Sequence, residues 1–124
     1  MSLANYHNLD DQFYYPKRKK RAHPERDIQN SIVQLLNLKG HFCWKTPNRG
    51  FKMDNGRGAW IASSTVKGVS DILGVQKSTG RLIAIEVKTL TGRATPEQIA
   101  FLEAINQRGG IGMVARDVKD VENI

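Results

Sequence analysis

Two apolar runs, Val69 to Val75 and Leu82 to Val87, are separated by six polar or small residues from Gln76 to Arg81. Nothing else in the sequence limits the fold as much. Short runs rich in Val and Ile, bounded by turn formers, predict the two strands of a β-hairpin. Antiparallel partners keep a constant sum of residue numbers, so a four-residue turn over 77–80 pairs Gln76 with Arg81 and sets Asp71 directly opposite Glu86. Alternate side chains share a face. Ala84, Glu86 and Lys88 therefore emerge together, while Ile83, Ile85 and Val87 point the other way. The small Ala84 leaves room beside the charged pair, where a groove is expected.

Carboxylates placed opposite one another, with Cβ atoms roughly 4.5 to 5.5 Å apart, repel. A bare carboxylate inside an apolar run is also costly to bury. An isolated Glu-x-Lys would most simply be a surface ion pair worth under about 1 kcal/mol, but Asp71 interrupts the first apolar run and needs its own reason. A divalent cation supplies one: Mg²⁺ takes oxygen ligands and is held by one or two carboxylates together with water and substrate phosphate. The hairpin is thus a candidate metal site built from Asp71, Glu86 and Lys88.

The rest of the chain supplies a scaffold. Pro24 and Glu25 open a stretch with Ile28, Ile32, Leu35 and Leu36 at helical spacing, closed by Gly40. Residues 41–46 predict a strand, and Ala59 to Ile61 a short one inside a Gly-rich, basic segment from Pro47 to Gly68. Thr95, Pro96 and Gln98 form an N-cap, a first-turn proline and a capping-box partner. The helix they start is expected to turn Ile99, Leu102 and Ile105 to the core and to stop at Gly109 and Gly110. Ile111 to Ala115 predicts a last strand, and 117–122 a terminal helical turn. This order argues for an α/β fold, a central mixed sheet flanked by helices. Residues 1–22 are expected to form a basic arm and 23–124 one domain.

The 124-residue chain carries 19 Lys and Arg against 12 Asp and Glu, a net charge of +7. That balance favours a polyanionic partner, above all nucleic acid, whose condensed counterions are released on binding. Lys17, Arg18, Lys19, Lys20 and Arg21 are consecutive, and Lys45, Arg49, Arg57, Lys67 and Arg93 are further candidates for backbone contacts. Cys43 is the sole cysteine, so no internal disulfide is expected, and the three histidines lack zinc-like spacing. No phosphate-cradling loop is recognisable, so no nucleotide cofactor is expected, and no apolar run approaches the roughly 20 residues that span a bilayer.

Asp71 followed by Glu86-Val87-Lys88 resembles the PD-(D/E)XK nucleases. More narrowly, the chain is similar to the VRR-NUC family, in which an early helical glutamate precedes a GxxD strand, an IEVK strand and a helix opening in PEQ. Here those pieces stand as Glu25, Gly68-Val69-Ser70-Asp71, Ile85-Glu86-Val87-Lys88 and Pro96-Glu97-Gln98, over about residues 24–116. The residue before Asp71 is Ser70 rather than the proline of the superfamily's name. The resemblance implies a restriction-endonuclease-like core and a metal-dependent DNA endonuclease. It implies Mg²⁺ or Mn²⁺ held by Asp71, Glu86, the Val87 carbonyl and Glu25, with Asp27 as the alternative helix acid. Lys88 would orient the attacking water and Gln98 would bond water or phosphate, unless Gln98 only caps its helix. It further implies a homodimer that cuts branched DNA such as four-way junctions, in the cytoplasm of a bacterial or phage-infected cell. The alternatives are a restriction- or repair-type nuclease with another DNA substrate, and a catalytically inactive nucleic-acid-binding module.

Overall fold

A computed structural model describes residues 24–47, 51–52, 60–61 and 66–124. The chain runs through α1 (Pro24–Leu38), β1 (Phe42–Lys45), β2 (Phe51–Lys52), β3 (Trp60–Ile61), β4 (Ile72–Val75), β5 (Leu82–Val87), α2 (Pro96–Gln107), β6 (Ile111–Ala115) and a 3₁₀ turn at Val118–Val121. Both helices end in a Schellman turn: His41 N–H donates to the Leu36 carbonyl, and Gly110 N–H to that of Ile105.

Four strands make one mixed sheet in the order β1-β4-β5-β6, and β2 pairs with β3 as a separate antiparallel ribbon. β1 and β4 are antiparallel, as are β4 and β5, whereas β5 and β6 are parallel. Parallel neighbours need a crossover, and α2 provides it. The hairpin register is the one its turn length requires. Ile72 pairs with Ile85 and Val75 with Leu82, and beyond the ladder Gln76 N–H donates to the Arg81 carbonyl at 2.8 Å.

β5 lies inside the sheet with helices on both faces, which explains its nearly unbroken apolar sequence. On one face Cys43, Ile72, Ile83, Ile85, Val87 and Ala115 pack with Ile32 and Leu36 of α1 and with Val121. Full burial of each large aliphatic side chain contributes about 1.5–3 kcal/mol. The other face is covered over β5 and β6 by α2, whose Leu102 is buried. On the β1 side of that face Phe42 and Trp44 stand exposed.

Three expectations need correction. β4 begins at Ile72, not Val69, because Gly68 holds a left-handed φ of 75° and the chain only then enters the ladder. The space foreseen beside Ala84 is no groove: Ala84 is fully buried, and its small side chain lies on strand β5, which α2 covers. Ile99 is 45% exposed, since the sheet-facing stripe of α2 runs through Gln98, Leu102 and Ile105 and leaves Ile99 on the flank. Among the described residues no helix is long and apolar enough to cross a membrane.

Candidate metal centre

Asp71 ends the approach to β4 and Glu86 is the penultimate residue of β5, on the sheet face that α2 covers. Past the last β4–β5 pair, the Asp71 side chain takes over the role of a strand partner, with Oδ2 accepting from Val87 N–H at 2.8 Å. The backbone behind it is fastened by β1, as Thr46 N–H donates to the Asp71 carbonyl at 2.8 Å and Thr46 Oγ1 to that of Ser70. The acid thus sits on a fixed frame.

Glu86 is 2% exposed. Its Oε1 accepts from Gln98 Nε2 at 2.9 Å and lies 3.6 Å from Lys88 Nζ. Its Oε2 is buried with no hydrogen-bond partner. Burial foremost, then the charge of Asp71, pushes the Glu86 carboxyl up to about 8, with Lys88 opposing the shift.

Gln98 has both of the duties between which its sequence context does not choose. Its Oε1 accepts from Thr95 N–H at 2.8 Å and its backbone N–H donates to Thr95 Oγ1 at 3.2 Å, a complete capping box. With the oxygen so engaged, the amide nitrogen is left to face Glu86. The helix start is in turn pressed against Gly68, where a Cβ would collide with the Glu97 carbonyl and come within 2.7 Å of the Gln98 nitrogen. The GVSD and PEQ segments therefore depend on each other physically: the glycine of one admits the backbone of the other, which delivers Gln98 to Glu86.

Asp71, Glu86, Lys88 and Gln98 are thus brought together, and Val87 is tied to them through its N–H. Glu25 lies half-buried in the first turn of α1 and Asp27 is exposed. Among the described residues no three His, Cys, Asp or Glu side chains gather as a metal-binding group, so Glu25 does not join the two acids as the expected third ligand. Lys67 and Arg93 are exposed, and exposed Lys45 donates to Asn30 Oδ1 at 3.0 Å. Lys17, Arg18, Lys19, Lys20, Arg21, Arg49 and Arg57 lie outside the described residues. Arg116 was not foreseen. Its guanidinium donates to the Thr89 and Gly92 carbonyls and braces the turn between Lys88 and α2. A lone arginine after an apolar strand carries no local signal of such a role.

A mixed sheet in this order, with Glu-x-Lys leaving its inner strand beside a second acid, is the arrangement expected of a nuclease-type domain of the restriction-endonuclease-like class, and the family match bears it out. A model of the VRR-NUC domain matches residues 23–118, and the chain belongs to that family. A solved structure described as a VRR_NUC domain shares the fold, with a TM-score of 0.56 and 20% identity over 82% of this chain and 92% of the other. No curated protein matches the chain.

Proposed function

We propose that this chain is a metal-dependent DNA endonuclease in which Asp71 and Glu86 hold Mg²⁺ or Mn²⁺. The observation that carries the reading is the buried, unpartnered Glu86 Oε2 beside a second carboxylate. In the protein alone burial and the neighbouring Asp71 make the Glu86 carboxyl keep its proton up to about 8, and a hard divalent cation is the partner that would let it ionise beside a second acid. The donor set fits: carboxylate oxygens of Asp71 and Glu86 and the Val87 carbonyl, all hard ligands. Such a cation, when bound, activates water and stabilises charge on the phosphodiester oxygens.

The chain's own groups do the rest. Gln98 holds Glu86 Oε1 in place, so that Oε2 keeps its direction. Lys88, a point charge with three donors, orients water or balances the phosphate. Arg116 and the capping box fix the two ends of the loop that joins Lys88 to α2, so acid, lysine and amide keep their spacing. Lys67, Arg93 and the basic arm contact phosphates without reading sequence, which leaves DNA shape as the basis of selection, with branched junctions the preferred form. Two copies acting as a homodimer would nick two strands.

A cleavage panel of single-stranded, duplex, flap and four-way DNA with Mg²⁺, Mn²⁺ or chelator tests this. The expected result is metal-dependent cutting, strongest on branched DNA, reduced at least about 100-fold by Asp71→Ala or Lys88→Ala while DNA binding survives. Cutting that persists in chelator or in Asp71→Ala would refute the chemistry. A monomer that cuts linear duplex as well as junctions would refute the preference and the dimer.

A further inference from the structure

The face that carries Asp71 and Glu86 continues away from α2 into an apolar surface over which no described helix lies. Cys43 points into the core, so its neighbours Phe42 and Trp44 point to the opposite face. Trp44 pairs with Leu73 and Leu73 with Ala84, which puts both aromatics on the same side as the two acids. Phe42 is 72% exposed and Trp44 41%. Their rings contact each other with centroids 5.4 Å apart and planes tilted by 50°. Val75 and Leu82 complete the surface, half-exposed and uncharged.

Resting on the reading of the site as a DNA nuclease, we infer that Phe42 and Trp44 are a stacking platform for unpaired nucleobases next to the scissile phosphate. The spacing suits that ligand. Trp44 and Asp71 are diagonal neighbours on paired strands, roughly 7 to 8 Å apart, and Phe42 is about 7 Å further along β1. Both rings therefore lie within a few nucleotides of the cut along an unpaired strand. The charge pattern suits it as well. Phe42, Trp44, Leu73, Val75 and Leu82 offer no carboxylate to repel a phosphate backbone, and the turn beyond them carries exposed Lys77, whereas Arg81 is engaged by the Gly109 and Gly110 carbonyls. Bases inside a duplex are already stacked on one another and cannot use the rings. The platform therefore selects DNA whose bases are unpaired beside the cleavage point, as at flaps and junction arms.

The test is equilibrium binding, in chelator, of a labelled single-stranded oligodeoxynucleotide and of the blunt duplex of the same sequence. Phe42→Ala/Trp44→Ala should weaken single-strand binding about tenfold or more and duplex binding less than about twofold, with Trp44→Phe retaining most of the affinity. Because Phe42 is so exposed, Phe42→Ala alone leaves the core untouched and should show part of the loss. Unchanged single-strand affinity, or an equal loss for both DNAs, overturns the proposal. So does a change of oligomeric state with DNA binding intact, which would make the surface a protein interface. Asp71→Asn separates the two readings: it should abolish cleavage and leave single-strand binding in place, so a stacking result stands or falls apart from the hydrolytic one.

Discussion

Glu86 is pulled two ways. Its place on the inner strand buries the carboxyl, and Asp71 adds a second negative charge beside it, while Lys88 and Gln98 offer relief. The unfolded chain releases this proton near the ordinary value of about 4.5, whereas the folded chain holds it to about 8. Folding therefore binds a proton between those values, and stability falls as pH rises through the window. In chelator, melting temperature should drop from pH 5 to pH 8, a loss on the order of a few kcal/mol. Glu86→Gln should flatten that slope. Mg²⁺ should raise the wild-type melting temperature more at pH 8 than at pH 5, because the cation binds the ionised pair. A melting temperature independent of pH over this window would show that Glu86 is not desolvated as described.

At the scale of elements, the contact between the loop before β4 and the start of α2 decides whether the site assembles. Gly68 combines a left-handed φ with a close approach to the Glu97–Gln98 backbone. Gly68→Ala should cost on the order of 1–3 kcal/mol or more in urea unfolding, and should reduce cleavage further by displacing Gln98 from Glu86. Wild-type stability in this variant would mean that the two segments are not in contact. Much of this layer is legible in the residues. The β4–β5 register follows from turn length and period-two alternation, the start of α2 from its capping residues, and the parallel β6 from the helix that precedes it. The limits are physical. Local pattern reveals that Phe42 and Trp44 oppose Cys43, but not that β1 joins the edge beside β4, because that pairing joins residues about thirty positions apart. Helical phase places Glu25 on the inner side of α1, but not its distance from Asp71, which depends on how helix and sheet pack. Gly68 is readable as part of a motif, while its steric reason appears only when α2 lies against it.

For the whole molecule, a net charge of +7 on 124 residues makes DNA affinity largely a matter of counterion release. Raising salt from about 50 to about 200 mM should weaken duplex binding at least about tenfold. Stacking on Phe42 and Trp44 releases no ions, so the single-strand affinity lost in Phe42→Ala/Trp44→Ala should be the same fold at both salt concentrations. A loss that disappears at the higher salt would count against a separate aromatic contribution. The account as a whole depends on Asp71 and Glu86 sharing one cation, and titration of the protein with Mn²⁺, followed by loss of the free-ion paramagnetic resonance signal, reads that directly. Wild-type protein should take up Mn²⁺, and Asp71→Asn and Glu86→Gln should each weaken uptake about tenfold or more while remaining folded. Equal Mn²⁺ affinity in all three proteins would contradict a metal centre at the end of this hairpin.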